Sequence, residues 1–317
     1  TGDRNAWPNL WELLVSTAGG DNQPAPLRAM CLEVFSQVAT MLVTTYFAPQ
    51  LPRFGQALAS CLANDNAQLR TKAVECFGEF IHVAEDNQMG VLRQLGTNVV
   101  NAYRATVNAG DDEEATEQAK AIRGIVEESD VTAFQDCYGP LLDACYEAAS
   151  NQKLDSDTRH MALGCLLSVG GKTRVLKGNR QFVNKLFNLL FEYMLHPEFE
   201  SDWEQTYEKE EDEEKKTDFD AGAQGADRLS HIVRGKTMEE LAAPCIMQNV
   251  NSSNWKNRGA ALTLLCYVFE GAMKSFMTHL DTIVRQVVIP RLNDDHPFVR
   301  YSAMQCVAQF SADLCPG

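Results

Sequence analysis

Apolar residues fall every three or four positions through most of this chain, which is the spacing of one face of an α-helix. In the stretch at 26–42, Leu32, Phe35, Ala39 and Leu42 keep this spacing. Alternation of apolar and polar residues, which would indicate strands, occurs only in short runs. The pattern therefore predicts an all-α protein. Its helices are expected at 6–17, 26–42, 48–63, 66–84, 88–107, 112–127, 131–149, 156–170, 178–195, 223–235, 238–250, 254–271, 275–292 and 297–313.

An arginine recurs at the start of these helices, followed three residues later by a small residue. The interval from Arg28 to Arg70 is 42 residues, and the interval from Arg258 to Arg300 is again 42. A period in the low forties with two helices per period is typical of HEAT or armadillo solenoids. We therefore predict an α-solenoid of about seven to eight HEAT repeats in a right-handed superhelix. Each arginine helix is expected to be the first of its repeat.

The ends of the chain lack the polar capping repeats that a complete solenoid needs. Residues 1–317 are accordingly expected to be a single HEAT-repeat solenoid that is an internal fragment of a longer protein.

The chain is acidic, with a formal net charge of −15 and a pI near 4.8. Phosphate binding needs clustered Lys and Arg, so this balance argues against direct contact with nucleic acid and favours a partner with a basic surface. No apolar run reaches the eighteen or so residues that span a membrane, so no membrane insertion is expected. The ten cysteines form no CxxC pair and no zinc spacing, which predicts free thiols in a reducing compartment.

A charged segment at 198–221 interrupts the repeat period and is predicted to be an acidic loop between helices. Residues 198–220 contain twelve acidic and three basic side chains, which is −9 of the total charge. Aromatic residues stand among the carboxylates, as anchors of a binding arm would; a solubilising spacer is the alternative. The candidate partner-binding residues are Asp202, Trp203, Glu210, Glu211, Asp212, Glu213, Glu214, Asp218 and Asp220.

Polar stripes mark one face of each of the helices predicted at 131–149 and 178–195. They recur at helical spacing and are candidates for a concave wall that accepts Lys or Arg; an ordinary solvated face is the alternative. The candidate cargo-binding residues are Asp136, Asp143, Glu147, Asn184, Asn188 and Glu192.

Motifs for catalysis fail when their spacing is tested. Gly170-Gly171-Lys172-Thr173 resembles the end of a phosphate-binding loop, but Leu166 stands where the first glycine belongs, and a helix precedes it rather than a strand. No zinc-protease, nucleophile-elbow or Cys/His signature is present. We expect no enzymatic activity, no cofactor and no metal site.

Two segments near the end of the chain point to a known family. Trp255-Lys256-Asn257-Arg258 with Phe269-Glu270-Gly271, and Asp294-Asp295-His296-Pro297-Phe298-Val299-Arg300-Tyr301, resemble helices of the importin-beta (karyopherin-beta) nuclear transport receptors. The acidic segment, followed by Ala226-Asp227-Arg228-Leu229, is similar to the importin-5 (karyopherin-beta-3) branch. The likeness is clear over 195–317 and limited to the repeat pattern before that.

The resemblance implies a receptor that shuttles between cytoplasm and nucleus. It implies basic cargo proteins with nuclear-localisation signals on the concave face, release by the GTPase Ran in its GTP form, and pockets for FG-nucleoporins between outer helices. It also implies that the acidic loop takes part in Ran binding or cargo release. A non-catalytic HEAT-repeat scaffold for a phosphatase or a chromosome-associated complex is the alternative function.

Overall fold

The computed structural model describes residues 10–42, 50–128, 131–197 and 217–314, and within these ranges the regular elements are all helical, with no strand. The α-helices are α1 Leu10–Ala18, α2 Ala25–Leu42, α3 Leu51–Leu62, α4 Ala67–Val83, α5 Asp86–Ala109, α6 Asp112–Glu128, α7 Tyr138–Ala149, α8 Ser156–Lys172, the single turn α9 Val175–Gly178, α10 Arg180–Met194, α11 Asp218–Val233, α12 Gly235–Asn249, α13 Trp255–Phe276 and α14 Pro297–Leu314. A 3₁₀ segment, Val131–Cys137, precedes α7.

An irregular helical segment, Met277–Asn293, lies between α13 and α14. It contains a π-helical stretch, Ile283–Val288, between 3₁₀ turns.

The helices form antiparallel pairs joined by short loops. The arginine helices pack against the helix before them: α7 pairs with α8 and α12 with α13, and α10 pairs with α11 in the same way. The prediction that the arginine helix comes first in its repeat is therefore wrong by one helix. A period alone does not say where the repeating unit begins; only the packing does.

The chain divides into two compact units, 1–173 and 174–317. In the first unit, α2, α4, α6 and α8 stack side by side as one layer, and α1, α3, α5 and α7 stack as the other. In the second unit, α11, α13 and α14 stack in the same manner. The core lies between the layers, with Phe35, Phe77, Leu190 and Phe269 fully buried.

The repeat arginines close the loops that lead into their own helices. Arg70 donates to the carbonyl oxygens of Asn64 and Asp65, and Arg300 donates to those of Asp294 and Asp295. In each case the acceptors lie six and five residues before the arginine. Arg70 also reaches Thr106 of the next pair, at 3.0 and 2.8 Å, so the arginine joins consecutive pairs as well as closing its own loop.

Several helix boundaries differ from the sequence prediction: α13 runs to Phe276 rather than to 271, and the helix predicted at 275–292 is the irregular segment Met277–Asn293. The predicted helix 131–149 begins as 3₁₀ and becomes α-helical only at Tyr138, just before Pro140, whose missing N–H is tolerated in a first turn. The acidic loop was predicted to run to 221, but α11 begins at Asp218. Thr217 and Asp220 form a capping box there, each side chain accepting from the other's backbone N–H at 3.2 Å.

The continuous helical stretch Trp255–Asn293 is long and apolar enough to cross a membrane by length and composition alone. The prediction that no apolar segment reaches this length is therefore too strict. Just over half of the apolar window is buried inside the structure, with Leu262, Leu264 and Val268 fully covered. Packing among neighbouring helices accounts for its hydrophobicity.

Candidate functional site

Carboxylates converge on one lysine across three neighbouring helices of the first unit. Lys72 on α4 lies 2.8 Å from Glu75, and this hydrogen bond is the main cause of its raised pKa. Glu33 on α2 and Glu114 on α6 raise the pKa of Lys72 further. The exposed side of the arginine-helix layer therefore carries more negative than positive charge here.

A groove of about 400 Å³ lies between α4 and α6, beside this cluster. The groove is deep at Gly78 and Gly124 because these residues have no side chains to fill it. A Cβ added at Gly124 would have no atom within 4 Å. Three of its eight lining residues are glutamates, so the groove fits an extended segment that carries Lys or Arg. The groove is lined by Glu75, Gly78, Glu79, His82, Ala121, Gly124, Ile125 and Glu128.

The second unit has a larger cleft of about 470 Å³, bounded by α11, α13 and α14; we call it the α11–α14 cleft. Three carboxylates face it, and none of the described residues that line it is Lys or Arg. The lining residues are Phe219, Asp220, Asp227, Thr263, Cys266, Tyr267, Glu270, Phe298, Tyr301, Ser302, Gln305 and Gln309.

Burial within this cleft changes how its groups ionise. Burial is the main cause of the raised pKa of Asp227, and the charge of Glu270 adds to it. His231 opposes the shift; its Nε2 lies 3.4 Å from Asp227 Oδ1 and 3.6 Å from Glu270 Oε2. Burial also raises the pKa of Tyr267, with smaller contributions from nearby groups that include Asp220 and Asp227. The cleft thus holds negative charge that its own residues only partly compensate.

An apolar pocket of about 280 Å³ lies between α12 and the irregular segment Met277–Asn293, which are first elements of their pairs. Met247 at its rim is half exposed. The apolar lining residues are Ala243, Ile246, Met247, Leu265, Phe276, Ile283 and Val287; Glu239, His279 and Thr282 also line the pocket. The pocket suits an aromatic or aliphatic side chain from a partner.

The six candidate cargo-binding residues are all exposed. Asp136 lies in the 3₁₀ segment, Asp143 and Glu147 on α7, and Asn184, Asn188 and Glu192 on α10. These elements are first in their pairs, whereas the groove and the α11–α14 cleft lie on second helices of pairs. Glu147 is engaged by Arg104 of α5, with Nε and Oε2 3.2 Å apart. The assignment of these residues to a cargo surface stays a prediction.

The candidate residues of the acidic segment divide into two groups. Asp202, Trp203, Glu210, Glu211, Asp212, Glu213 and Glu214 lie outside the described residues. Asp218 and Asp220 belong to the first turn of α11, not to a loop, and Asp220 lines the cleft. The structure thus brings Asp220 to the same cleft as Asp227 and Glu270.

Several residues of these sites were missed at the level of sequence. Glu33 and Glu75 each follow a repeat arginine by five residues, and this shared position was a signal for an acidic face. No such shared position in the sequence marks Glu128 or Glu270. These residues reach the groove and the cleft only because of the way the helices pack together. Across the described ranges, no cluster of three or more His, Cys, Asp or Glu side chains is placed to hold a metal ion.

Comparison with known proteins gives a consistent set of relatives. A family model described as "IPO5-like, TPR repeats" matches residues 1–127, and one described as "Importin repeat" matches residues 151–240. Importin subunit beta-3 of Saccharomyces cerevisiae is 24% identical over 99% of the chain, and the probable importin-5 homolog of Dictyostelium discoideum is 22% identical over 92%. The chain spans 28% and 27% of the lengths of these two relatives.

The fold is that of the solved karyopherin Kap121p. The crystal structure of Kap121p superposes on the whole chain with a TM-score of 0.85 at 20% identity, and the match covers 30% of Kap121p. This likeness confirms the predicted all-α, HEAT-repeat solenoid.

Proposed function

Because the chain belongs to the importin-beta (karyopherin-beta) family, we propose that it is part of a nuclear import receptor without enzymatic activity. The whole receptor would bind basic cargo with nuclear-localisation signals in the cytoplasm and release it in the nucleus when Ran in its GTP form binds. Solved structures of Kap121p contain that protein bound to Pho4p, to Nup53p and to Ste12p, which supports a cargo-carrying role for this relative of it.

The acidic groove between α4 and α6 carries this proposal. Glu79 and Glu128 are exposed on facing helices, and the glycine floor lets a peptide backbone approach closely. Lys and Arg side chains of a cargo segment would pair with these carboxylates. We place cargo on the arginine-helix layer rather than on the stripe at Asp143 and Glu147, since Glu147 is already paired with Arg104.

The apolar pocket at Met247 is the proposed site for an FG-nucleoporin. Its lining is almost wholly apolar, and its volume of about 280 Å³ fits one phenylalanine ring with room to spare. The acidic segment from Asp202 to Glu214 is proposed to act in Ran binding or cargo release, because its negative charge would attract a basic surface of Ran or compete with the acidic groove for basic cargo.

The cargo proposal is tested with a fluorescein-labelled basic nuclear-localisation peptide and anisotropy. Glu79→Gln/Glu128→Gln should weaken binding about threefold to tenfold and lower its salt dependence, since two screened charges are lost. The matched control is Glu240→Gln/Asp281→Asn, which also removes two negative charges. Glu240 and Asp281 are exposed in the second unit, away from the groove, so this variant should leave the affinity for the peptide unchanged. Equal weakening by both would reject the groove.

The transport cycle is tested with the full-length receptor. Ran locked in its GTP form should displace bound cargo, and Ran locked in its GDP form should not. Equal displacement by both forms, or by neither, would argue for a scaffold instead. For the pocket, Met247→Glu should abolish retention on immobilised FG peptide without changing affinity for cargo.

A further inference from the structure

We propose that Cys266 on α13 and Cys306 on α14 form a redox-sensitive thiol pair, in which a hydroperoxide oxidises Cys266 and Cys306 then closes a reversible disulfide. Neither thiol has a part in the proposed function. Both cysteines are free in the structure. The disulfide would join two consecutive arginine helices covalently at a wall of the α11–α14 cleft, which Cys266 lines.

The two cysteines face each other along the seam where α13 packs on α14. Other residues that meet across this seam stand 39 to 41 positions apart in the chain. These pairs are Gly259 with Phe298, Thr263 with Ser302, and Phe269 with Phe310. Cys266 and Cys306 stand 40 positions apart, in the turn between the second and third of these pairs, so the packing of the helices brings the two thiols together.

The contacts of Cys306 place its sulfur beside Cys266. Cys306 Sγ donates to the carbonyl oxygen of Leu262 at 3.1 Å. Leu262 lies four residues before Cys266, so its carbonyl belongs to the helical turn that carries Cys266. The two thiols are also within hydrogen-bonding reach of each other. Formation of a disulfide therefore needs a local movement of two side chains and no rearrangement of the repeats.

The two sulfurs differ in access and in acidity. Cys266 is partly exposed in the cleft, whereas Cys306 is fully buried. The hydrogen bond with Cys306 lowers the pKa of Cys266 in spite of burial, and the thiolate is the form that attacks a peroxide. The same hydrogen bond, together with burial, raises the pKa of Cys306. Cys266 is therefore the thiol that reacts first, and Cys306 is the thiol that resolves the intermediate.

The oxidation proceeds in two balanced steps. The Cys266 thiolate attacks the terminal oxygen of the hydroperoxide; an S–O bond forms, the O–O bond breaks, and the leaving oxygen takes up the proton that the thiol lost. The Cys306 sulfur then attacks the sulfenic acid of Cys266; the S–S bond forms, the S–O bond breaks, and the thiol proton leaves with the hydroxyl group as water. The two sulfurs lose two electrons, and the peroxide gains them.

Two other sites in the chain provide internal controls. Cys145 and Cys165, on the paired helices α7 and α8, also share a hydrogen bond, but both are fully buried. Cys245 is partly exposed, but its side-chain partner is the amide of Asn249, and burial raises its pKa to about 11. The first site has a thiol pair without access and the second has access without a thiol pair, so neither should form a disulfide in the folded protein.

The test maps disulfides in the intact chain after brief treatment with hydrogen peroxide. Remaining thiols are blocked with N-ethylmaleimide, and the protein is digested with trypsin without reduction. Trypsin places Cys266 on the peptide 259–274 and Cys306 on the peptide that begins at Tyr301. The latter also contains Cys315, so a Cys315→Ser background is used. We expect the two peptides to appear linked, and dithiothreitol to separate them.

Variants separate the two roles. In Cys306→Ser, dimedone should trap at least about fivefold more sulfenic acid at Cys266 than in the parent, because no thiol resolves it. In Cys266→Ser, Cys306 should stay unlabelled, because peroxide does not reach it. In the unoxidised parent, iodoacetamide should label Cys266 about tenfold faster than Cys245.

Three results would overturn the proposal. They are an oxidised protein in which Cys266 and Cys306 stay unlinked, linkage of Cys145 to Cys165 at the same rate, and labelling of Cys245 as fast as Cys266. Each of these is measured with both thiols of the pair in place, so the test does not depend on the folding of Cys306→Ser. Transport of cargo is not part of any readout, so failure of the proposed function would leave this test unaffected.

Discussion

Replacing Asp294 by Ala should destabilise the second unit more than any surface substitution, because Asp294 is the centre of a buried ion pair. Arg258 donates to it twice, from Nε at 2.8 Å and from Nη2 at 2.6 Å, and the two side chains are only 8% and 2% exposed. Arg291 and the His296 amide donate to it as well, at 3.0 and 3.1 Å.

The expected loss is about 3–4 kcal/mol. Removing one partner of a buried pair typically costs about 3–5 kcal/mol because the other charge is left without compensation. Here Arg258 retains the exposed Asp295, 2.6 Å from its Nη2, which keeps the loss near the lower end. The amide of His296 also loses an acceptor, which adds about 1 kcal/mol.

Urea unfolding followed by hydrogen exchange of peptides across 250–305 measures this loss. With an m-value of about 2 kcal/mol/M, the midpoint for these peptides should fall by about 1.5–2 M. The control is Asp281→Ala, which breaks an exposed pair with Arg285 in the same unit and should cause no measurable change. If the two variants shift the midpoint equally, the Arg258–Asp294 pair is not what joins these repeats.

The same pair predicts how acid acts on the second unit. Burial alone would raise the pKa of Asp294, but the hydrogen bonds, with that from Arg258 foremost, outweigh it and hold the pKa well below its usual range. A lowered folded pKa stabilises the fold above the unfolded value of about 3.9, and this stabilisation is lost as pH falls below that value toward the folded pKa. The urea concentration at the unfolding midpoint of the native protein should therefore decrease as the pH is lowered from about 5 to about 2. In Asp294→Asn the midpoint should depend less on pH over this range.

Glycine and capping positions supply the remaining predictions. Gly259→Ala should cost about 1–3 kcal/mol, because its Cβ would press on the Phe298 ring, whereas Gly90→Ala in the exposed interior of α5 should stabilise by about 0.5–1 kcal/mol. Thermal unfolding of both variants measures this contrast, and a loss at both sites would contradict it. Thr217→Ala should cost about 1 kcal/mol and speed amide exchange in the first turn of α11; unchanged exchange there would mean that the capping box contributes nothing.

The helices themselves could be predicted closely from the sequence because their apolar faces are strongly periodic. The ends of α4 and α6 fall within one or two residues of the expected positions. The pairing of helices could not be predicted in this way, since a 42-residue period looks the same wherever the unit is taken to start. A missed signal lay in the loops: Asn64-Asp65 and Asp294-Asp295 precede Arg70 and Arg300 at the same distance, as a loop closed by its own arginine requires.

The sites were less predictable than the fold for a physical reason. A polar face on a single helix can be predicted from the spacing of its polar residues, and Asp143 and Glu147 of α7 are indeed exposed. The α11–α14 cleft, by contrast, combines Asp220, Asp227 and Glu270 from two helices that are separated by a loop and a further helix. Their proximity follows from glycine contacts such as Gly271 with Ser230, which no single-helix pattern contains.

The packing of α10 on α11 has a consequence for the length of the chain between them. A Cβ on Gly222 would lie 2.7 Å from the Leu190 carbonyl oxygen and 2.9 Å from Tyr193. The two helices therefore pack directly against each other at this glycine. Loop closure depends only weakly on length, at about 0.6 kcal/mol for each doubling. The α10–α11 pair is therefore held by its own interface, and a reporter domain inserted between Pro197 and Thr217 should leave the contact of Gly222 with Leu190 and Tyr193 intact.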